Sequence, residues 1–151
     1  MKAKDLMTRD VITIKEEDTI EVAARILNEK GFSGLPVVDG NNKIIGIITE
    51  GDLIRRIAKI DGPSSIEILG GILPLESKKV FRERINRHLG YLVKDMMTKN
   101  VFTISGDVGI EEIATLMVRE KISRIPIVDD EKRLIGIISR KDIMRNLFEL
   151  D

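Results

Sequence analysis

One unit of 52 residues occurs twice in this sequence, because residues 4–55 recur at 94–145 with a constant offset of ninety and no gap. Of the 52 aligned positions, 20 are identical, and 11 of the other 32 exchange one apolar residue for another. Two equal units can pack about a pseudo-twofold axis. Any cleft at their junction is then expected to exist in two related versions.

Composition and charge limit the classes of protein to which the chain can belong. At 151 residues it suits one globular body or two small units that share a core. The formal net charge is zero, with 25 basic and 25 acidic residues, so no global field attracts nucleic acid. No apolar run reaches the roughly 18 residues that a membrane span needs, and charges interrupt the start where a signal peptide would be apolar. We therefore expect a cytoplasmic protein with no membrane partner.

The first half of each copy is predicted to form a strand followed by a helix. In the first copy the β-branched run at 11–14 favours a strand. Asp18 or Thr19 is expected to cap a helix that ends at Gly31. The helix carries an apolar stripe at helical spacing in both copies, consisting of Ile20, Ala23, Ala24 and Leu27 and then Ile110, Ile113, Ala114 and Met117.

The second half of each copy is predicted to form two strands and a second helix. In the first copy the strands cover residues 35–38 and 44–49, and the residues at 39–42 between them are typical of a turn. The second helix is expected to begin at Asp52. Each copy therefore reads as a β-α-β-β-α unit.

The segment between the copies, about 57–92, has no counterpart elsewhere in the chain. We place the first unit at 1–60, a helical linker at 61–92 and the second unit at 93–151. Ser77 favours the start of a linker helix over 77–89 with an apolar face of Phe81, Ile85 and Leu89. Its other faces carry one acid, Glu83, and five cations: Lys78, Lys79, Arg82, Arg84 and Arg87. They form either a solvated face or an arm that meets an anion or a partner.

The residues with chemical content lie where the third strand of each copy runs into the second helix. Thr49 is followed three residues later by Asp52, and Ser139 is followed by Asp142. A carboxylate in such a position can accept hydrogen bonds from both hydroxyls of a ribose, and the free N–H groups of a helix start favour an anion. The alternative is that the hydroxyls are N-caps and the carboxylates stabilise the first turn.

At these motifs the chain resembles a tandem pair of CBS domains, the module named after cystathionine β-synthase. Three motifs occur twice and in order: Met-Thr followed by Val-x-Thr, Ser-x-φ-Pro-φ-Val-Asp, and Gly-φ-φ-Thr/Ser-x-x-Asp, with φ apolar. The resemblance covers about two-thirds of the chain. It implies an α+β fold of two β-α-β-β-α units packed sheet to sheet, which here has a helical insertion. It also implies a homodimer and a regulatory ligand that contains adenosine, such as AMP, ADP, ATP or S-adenosylmethionine.

The resemblance further implies two adenosine-binding sites. In the first, Asp142 and Ser139 hold ribose and phosphate, and Arg124 reaches the phosphate. The adenine is then expected to contact the other copy around Thr8, Ile12 and Phe32. In the second, Asp52 and Thr49 take the same roles, and the residues opposite them are Thr98, Phe102 and Ile122. For the apolar members of both sets, ordinary core packing is an equal alternative.

The two sites differ in charge. Gly34 stands where the second copy has Arg124, and Glu50-Gly51 replaces Arg140-Lys141. A guanidinium that grips phosphate is among the stronger hydrogen-bonded pairs, and Glu50 would oppose a phosphate. We therefore expect phosphorylated adenosine to prefer the Asp142 site, whereas the Asp52 site stays empty or favours a less negative ligand. The alternative is that Arg140 and Lys141 point into solvent.

Catalysis has little support in the sequence. It has no P-loop, no nucleophile elbow and no paired-histidine metal spacing, and zero cysteines exclude thiolate sites. The lone His88 falls in the charged linker. We predict a non-enzymatic sensor without catalytic residue, metal or cofactor, which binds an adenine nucleotide and regulates a separate, unknown effector protein. A constitutive dimeric scaffold with empty sites is the competing hypothesis, and nucleic-acid binding through the basic linker is disfavoured.

Overall fold

The structure is a computed structural model that describes residues 1–59, 65–68, 71–74, 79 and 91–148. In chain order the helices are α1 (Ala3–Leu6), α2 (Ile20–Lys30), α3 (Glu50–Lys59), α4 (Ile110–Arg119) and α5 (Arg140–Phe148). A 3-10 turn covers Val93–Asp95. The strands are β1 (Gly34–Val38), β2 (Ile44–Thr49), β3 (Ser65–Ile68), β4 (Gly71–Pro74), β5 (Arg124–Val128) and β6 (Leu134–Ser139). The predicted α+β class is confirmed.

The chain folds into two compact units, and neither coincides with a sequence repeat. The first compact unit consists of Met1–Thr13, Pro36–Gly46 and Lys99–Asp151. The second consists of Ile14–Leu35 and Ile47–Thr98. Each unit therefore takes the opening segment of one repeat, 4–13 or 94–98, together with most of the other repeat, and the first unit also takes Pro36–Gly46 of the first repeat. The domain boundaries at 60/61 and 92/93 stay a prediction from the sequence.

Backbone hydrogen bonds hold the opening segments in these units. In the first compact unit the N–H groups of Ala3 and Lys4 donate to the carbonyls of Val108 and Gly106 over 2.8 and 2.9 Å. In the second, the Val93 N–H donates to the Asp18 carbonyl over 2.8 Å. The short helix α1, which the sequence analysis missed, adds two apolar side chains to a buried cluster: Ala3, Leu6, Ile113, Met117, Ile125, Ile127, Ile138 and Ile143.

The predicted limits of the first helix are confirmed. The Thr19 hydroxyl caps α2 by accepting a hydrogen bond from the Val22 N–H over 3.3 Å. The Asp18 carboxylate instead accepts one from the Lys15 N–H. At the other end Gly31 has a φ of 64°, a left-handed conformation that costs glycine little. Of the predicted stripe, Ile20, Ala23 and Leu27 are buried.

The predicted strand at 11–14 is wrong, because that segment forms no regular strand and only Ile14 takes part in a bridge. The equivalent segment of the second repeat shows the reason. Ile104 makes a single parallel bridge with Ile127, in which the Val128 N–H donates to the Ile104 carbonyl over 2.9 Å. The next bond of a parallel ladder would need an N–H from Pro126, and proline has none. Pro36 occupies the same position in the first repeat.

The two strands in the second half of each repeat form a hairpin, as predicted. In the second repeat β5 and β6 pair antiparallel, with Arg124 opposite Ser139 and an irregularity between Ile127 and Val128. The turn aspartates close both hairpins. The Oδ1 of Asp39 accepts from two backbone N–H groups at 2.9 and 3.0 Å, and the Oδ1 of Asp129 accepts from two at 2.9 Å.

Part of the segment between the repeats forms an antiparallel hairpin. β3 pairs with β4, with Ser65 opposite Pro74 and Ile68 opposite Gly71, where the sequence analysis assigned no strand. The predicted linker helix at 77–89, together with its basic residues and His88, lies outside the described residues except for Lys79. Across the parts of the chain that the structure describes, no helix is long and apolar enough to span a bilayer.

Candidate functional site

The junction between β6 and α5 holds Asp142 in a defined orientation. The backbone N–H and the hydroxyl of Ser139 both donate to Asp142 Oδ2, over 2.7 and 2.6 Å. The Asp142 N–H returns a longer bond of 3.4 Å to the hydroxyl. This reciprocal pairing is that of a helix cap, so the capping alternative describes the local bonds correctly. It uses only one of the two carboxylate oxygens, and Asp142 is half-buried.

The junction between β2 and α3 repeats this arrangement with Asp52. The Thr49 N–H and hydroxyl donate to Asp52 Oδ2 over 2.9 and 3.0 Å, and the Asp52 N–H donates to the hydroxyl over 3.1 Å. Asp52 is more enclosed than Asp142, with a residue exposure of 7%. Both helices begin two residues before the aspartate, at positions 50 and 140, and the predicted start at Asp52 is therefore two residues late.

The two aspartates differ in the partners of their second oxygen. The Arg55 guanidinium donates to Asp52 Oδ1 and forms an ion pair with it. Arg145 stands at the equivalent position of the second repeat. Within the described residues, Asp142 Oδ1 accepts no hydrogen bond and Arg145 forms no ion pair with it. Both oxygens of the Asp52 carboxylate are thus hydrogen-bonded, whereas Asp142 Oδ1 has no partner among the described residues.

Each opening segment contributes a predicted threonine to one junction. Thr8 and Ile137 form an isolated antiparallel bridge with N–H···O distances of 2.9 and 3.0 Å, two residues before Ser139. Thr98 pairs in the same way with Ile47 over 2.8 and 3.0 Å, two residues before Thr49. Each bridge lies within one compact unit. We call Thr8, Arg124, Ser139 and Asp142 the Asp142 site, and Thr98, Thr49, Asp52 and Arg55 the Asp52 site.

A glycine in the strand makes room for this approach. A Cβ added to Gly136 would lie 2.3 Å from the Sδ of Met7, far closer than atoms tolerate. Only glycine at this position therefore lets Met7 lie against β6 and brings the next residue, Thr8, to Ile137. The sequence analysis used the glycine as part of a motif but missed this role.

Two serine carbonyls, also missed by the sequence analysis, hold the helix starts against the hairpins. The Arg140 N–H donates to the Ser123 carbonyl over 3.0 Å, and the Glu50 N–H donates to the Ser33 carbonyl over 3.0 Å. Because these serines directly precede the strands β5 and β1, the bonds fix each helix N-terminus beside the first residue of the hairpin. The sequence signal that could have revealed this role is the serine that opens both copies of the Ser-x-φ-Pro-φ-Val-Asp motif.

Two of the cations predicted for the Asp142 site lie in the first turn of α5, and the third lies on the neighbouring strand β5. Arg124 is half-buried and lies directly opposite Ser139 in the strand register. Arg140 and Lys141 are exposed in the first turn of α5, so the alternative of a solvent-facing pair stays open. At the equivalent positions of the first repeat stand the buried Gly34 and the exposed Glu50.

The apolar residues predicted to line the sites are at least partly exposed. Phe32 is 39% exposed and Phe102 is 44% exposed, which disfavours simple core packing for both. Ile12 and Ile122 are half-buried, and Ile122 packs against the apolar cluster of the first compact unit. Phe32 belongs to the second compact unit, whereas Phe102 and Ile122 belong to the first. Their contact with adenine stays a prediction.

A family model described as CBS domain matches residues 3–59 and again residues 93–149. The chain belongs to the CBS domain family. The resemblance inferred from the three repeated motifs is therefore confirmed. An uncharacterized protein of Methanocaldococcus jannaschii is 33% identical to this CBS domain pair over 97% of this chain and 91% of its own.

Solved structures of CBS domain pairs share the fold. The CBS domain pair of protein MJ0100, in complex with 5-methylthioadenosine and S-adenosyl-L-methionine, superposes with a TM-score of 0.75 at 27% identity, over 99% of this chain and 97% of that one. The protein CBSX2 in complex with AMP superposes with a TM-score of 0.74 at 25% identity, over 98% and 96%.

Some relatives are enzymes of greater length. The inosine-5'-monophosphate dehydrogenase of Methanocaldococcus jannaschii is 35% identical over 95% of this chain, but the match spans only 23% of the dehydrogenase. The CBS domain pair therefore corresponds to one part of such an enzyme. In the described parts of this chain, no group of three or more His, Cys, Asp or Glu side chains could hold a metal ion.

Proposed function

We propose that this CBS domain pair is a non-catalytic regulatory module of the cytoplasm that binds an adenine nucleotide of the AMP type at the Asp142 site. The observation that carries the proposal is the state of Asp142. Ser139 orients its carboxylate through Oδ2, while Oδ1 accepts no hydrogen bond from the described residues. A carboxylate held in this way is pre-organised to accept hydrogen bonds from the two hydroxyls of a ribose.

The surroundings of Asp142 suit a phosphate next to that ribose. The α5 N-terminus presents the positive end of a helix dipole, which favours an anion. Arg124 stands beside Ser139 in the register. A hydrogen bond to a charged group contributes roughly 1.5–3 kcal/mol, so one guanidinium–phosphate contact is enough to separate the two sites in affinity. Glu50, at the position of Arg140, disfavours phosphate at the Asp52 site.

The ligands of the similar structures support adenosine as the common element. AMP, 5-methylthioadenosine and S-adenosyl-L-methionine, named in those complexes, share an adenine and a ribose with free hydroxyls. They differ in charge at the 5' position. S-adenosylmethionine lacks a phosphate, and we propose it as the alternative ligand, favoured at the Asp52 site because Glu50 tolerates a sulfonium better than a phosphate.

Calorimetry with two matched variants tests the proposal. AMP, ADP, ATP and S-adenosylmethionine are titrated into the wild type, Asp142→Ala and Asp52→Ala. We expect Asp142→Ala to weaken AMP binding at least tenfold, because the ribose loses a charged acceptor, and Asp52→Ala to leave it within about twofold. Thermal melting of each variant shows that it is folded. Two equal AMP sites, both lost only in Asp52→Ala, would contradict the assignment.

Ligand-dependent stability separates a sensor from a scaffold with empty sites. A ligand that binds only the native state adds about 2.7 kcal/mol to the free energy of unfolding at one hundred times its Kd. A constitutive scaffold shows no shift with any adenosine compound. Regulation further requires that the ligand binds two conformations or assemblies with different affinity, and the effector protein that responds is a separate partner.

We also propose that the module is a homodimer. Three apolar side chains in the last two turns of α5 are largely exposed, namely Met144, Leu147 and Phe148 at 48%, 49% and 61%. Residues spaced by three and four positions share one face of a helix. An exposed apolar stripe of this kind is typical of a surface that is buried in an assembly.

A further inference from the structure

Arg55 closes the Asp52 carboxylate from the outside. The Asp52 side chain is only 6% exposed, whereas the Arg55 side chain is 67% exposed and reaches Asp52 Oδ1 from one turn further along α3. The Thr49 N–H and hydroxyl already occupy Oδ2. A ribose that approaches Asp52 therefore finds both oxygens already hydrogen-bonded and competes with the guanidinium for Oδ1.

The duplicated chain supplies an internal comparison, because the same arginine occurs at both sites. Arg145 corresponds to Arg55, yet within the described residues it makes no ion pair with Asp142. The residue directly before each aspartate, Gly51 or Lys141, explains how Arg55 and Arg145 can differ. A Cβ built on Gly51 would lie 3.2 Å from Arg55 Nη1 and 3.5 Å from Thr49 Oγ1. A side chain at position 51 would thus crowd the guanidinium by a few tenths of an ångström, and the second repeat has Lys141 there.

We propose that Arg55 is a specificity-determining residue that occupies the Asp52 carboxylate in place of ribose and so makes the two sites unequal. Gly51 provides the room for it. The inference rests on the proposed function, because it assumes that the carboxylates of this chain receive ribose hydroxyls. It adds that the first repeat carries its own competitor, so a ligand at the Asp52 site competes with Arg55 for the carboxylate.

The competing explanation is an ordinary ion pair that stabilises the first turns of α3. An exposed arginine paired with an acid three residues earlier often contributes little beyond local stability. The two explanations differ in what they predict for binding. A purely structural pair affects the free energy of unfolding and leaves ligand affinity unchanged, whereas a competitor lowers affinity for as long as it is present.

The test isolates the Asp52 site and uses uncharged adenosine, so that Glu50 and the phosphate do not contribute. Adenosine is titrated calorimetrically into Asp142→Ala and into Asp142→Ala/Arg55→Met. The methionine keeps an unbranched side chain but cannot donate to Asp52. We expect adenosine to bind about three- to tenfold tighter when Arg55 is replaced, the factor expected for a partly screened ion pair. Urea denaturation of both proteins reports stability separately.

The matched control is the same pair of changes at the other site. Asp52→Ala and Asp52→Ala/Arg145→Met are expected to bind adenosine equally, within about twofold, because Arg145 does not occupy Asp142. Unchanged or weaker adenosine binding after the Arg55 replacement overturns the inference, and an equal gain from the Arg145 replacement does so too. Failure of the proposed function has a different signature, since neither the wild type nor Asp52→Ala would then bind adenosine or AMP.

Discussion

Asp142 and Asp52 occupy the same position of a duplicated unit. Their Oδ2 atoms accept the same hydrogen bonds, but their Oδ1 atoms do not. Arg55 pairs with Asp52, whereas Asp142 Oδ1 has no partner in the described chain. At the residue scale the asymmetry depends on small differences, chiefly Gly51 against Lys141 and Gly34 against Arg124. The charge differences were predictable from the sequence. The Arg55 contact was not, because both repeats carry an arginine at that position.

Gly136 gives a stability prediction at the same scale. In Gly136→Ala the new Cβ would lie 2.3 Å from Met7 Sδ and 2.9 Å from Met7 Cγ, so Met7 must move or β6 must shift. Inserting a methyl group into such a packed position costs typically about 1–3 kcal/mol. We expect a loss of that size in the free energy of unfolding, measured by urea denaturation.

Gly40→Ala is the matched control for this change. A Cβ at Gly40 would meet no atom within 4 Å. Gly40 lies in a hairpin turn of the same compact unit as Gly136. Its free energy of unfolding is expected to stay within about 0.5 kcal/mol of the wild type. Equal losses in the two variants would show that the close approach of Met7 does not matter for stability.

At the scale of elements, features that depend on neighbouring residues were predicted correctly, and features that depend on distant residues were not. The Thr19 cap and the Gly31 end of α2 were predicted, since both depend on residues within one turn. The strand at 11–14 was predicted from β-branched residues and is absent, because Pro126 cannot continue the ladder in the equivalent segment. Helix α1 was missed because it has four residues and is held by carbonyls more than one hundred positions away.

The attachment of α1 gives a pH-dependent prediction. Hydrogen bonds and ion pairs from Lys4 and Lys2 hold the pKa of Asp107 below its ordinary value of 3.8. A carboxylate with a lowered pKa stabilises the folded state above its unfolded pKa, and this contribution disappears as the pH falls through the folded value. We expect the wild type to lose stability below about pH 4 more steeply than Asp107→Asn.

Urea midpoints measured between about pH 2 and pH 6 check this expectation. Asp10→Asn serves as the control for the removal of one exposed negative charge from the same compact unit. The difference between the wild type and Asp107→Asn should shrink toward zero at the acid end of the series. A difference that is constant over the whole range would mean that the ion pairs with α1 do not contribute to stability.

At the scale of the whole molecule, the repeats and the compact units divide the chain differently. Each compact unit combines the opening segment of one repeat with the main part of the other. Because of this division, Thr8 pairs with Ile137 in the strand that ends at Ser139, and Thr98 pairs with Ile47 in the strand that ends at Thr49. Each candidate site therefore draws on both repeats within a single compact unit.

The proposed homodimer is tested at this scale. In Met144→Glu/Leu147→Glu, two charges are placed on the exposed apolar face of α5, and a charge buried without a partner is costly. We expect size-exclusion chromatography with light scattering to give about twice the chain mass of 17.0 kDa for the wild type and a single chain for the variant.

Val118→Glu is the control for adding charge to an exposed apolar position, since Val118 is 77% exposed on α4. Its assembly is expected to match that of the wild type. A wild type that stays monomeric, or a double variant that stays dimeric, would show that the α5 face is not the dimer contact.

The sequence by itself determined the family, the α+β class, the hairpin turns and the hydroxyl–carboxylate pairs at both helix starts. These features depend on residues at most a few positions apart, so a motif and its spacing suffice to predict them. Only the tertiary structure decided which opening segment joins which strand and which carboxylate keeps an oxygen without a partner among the described residues. Those outcomes depend on backbone bonds between distant residues and on the room that a missing side chain leaves at Gly51.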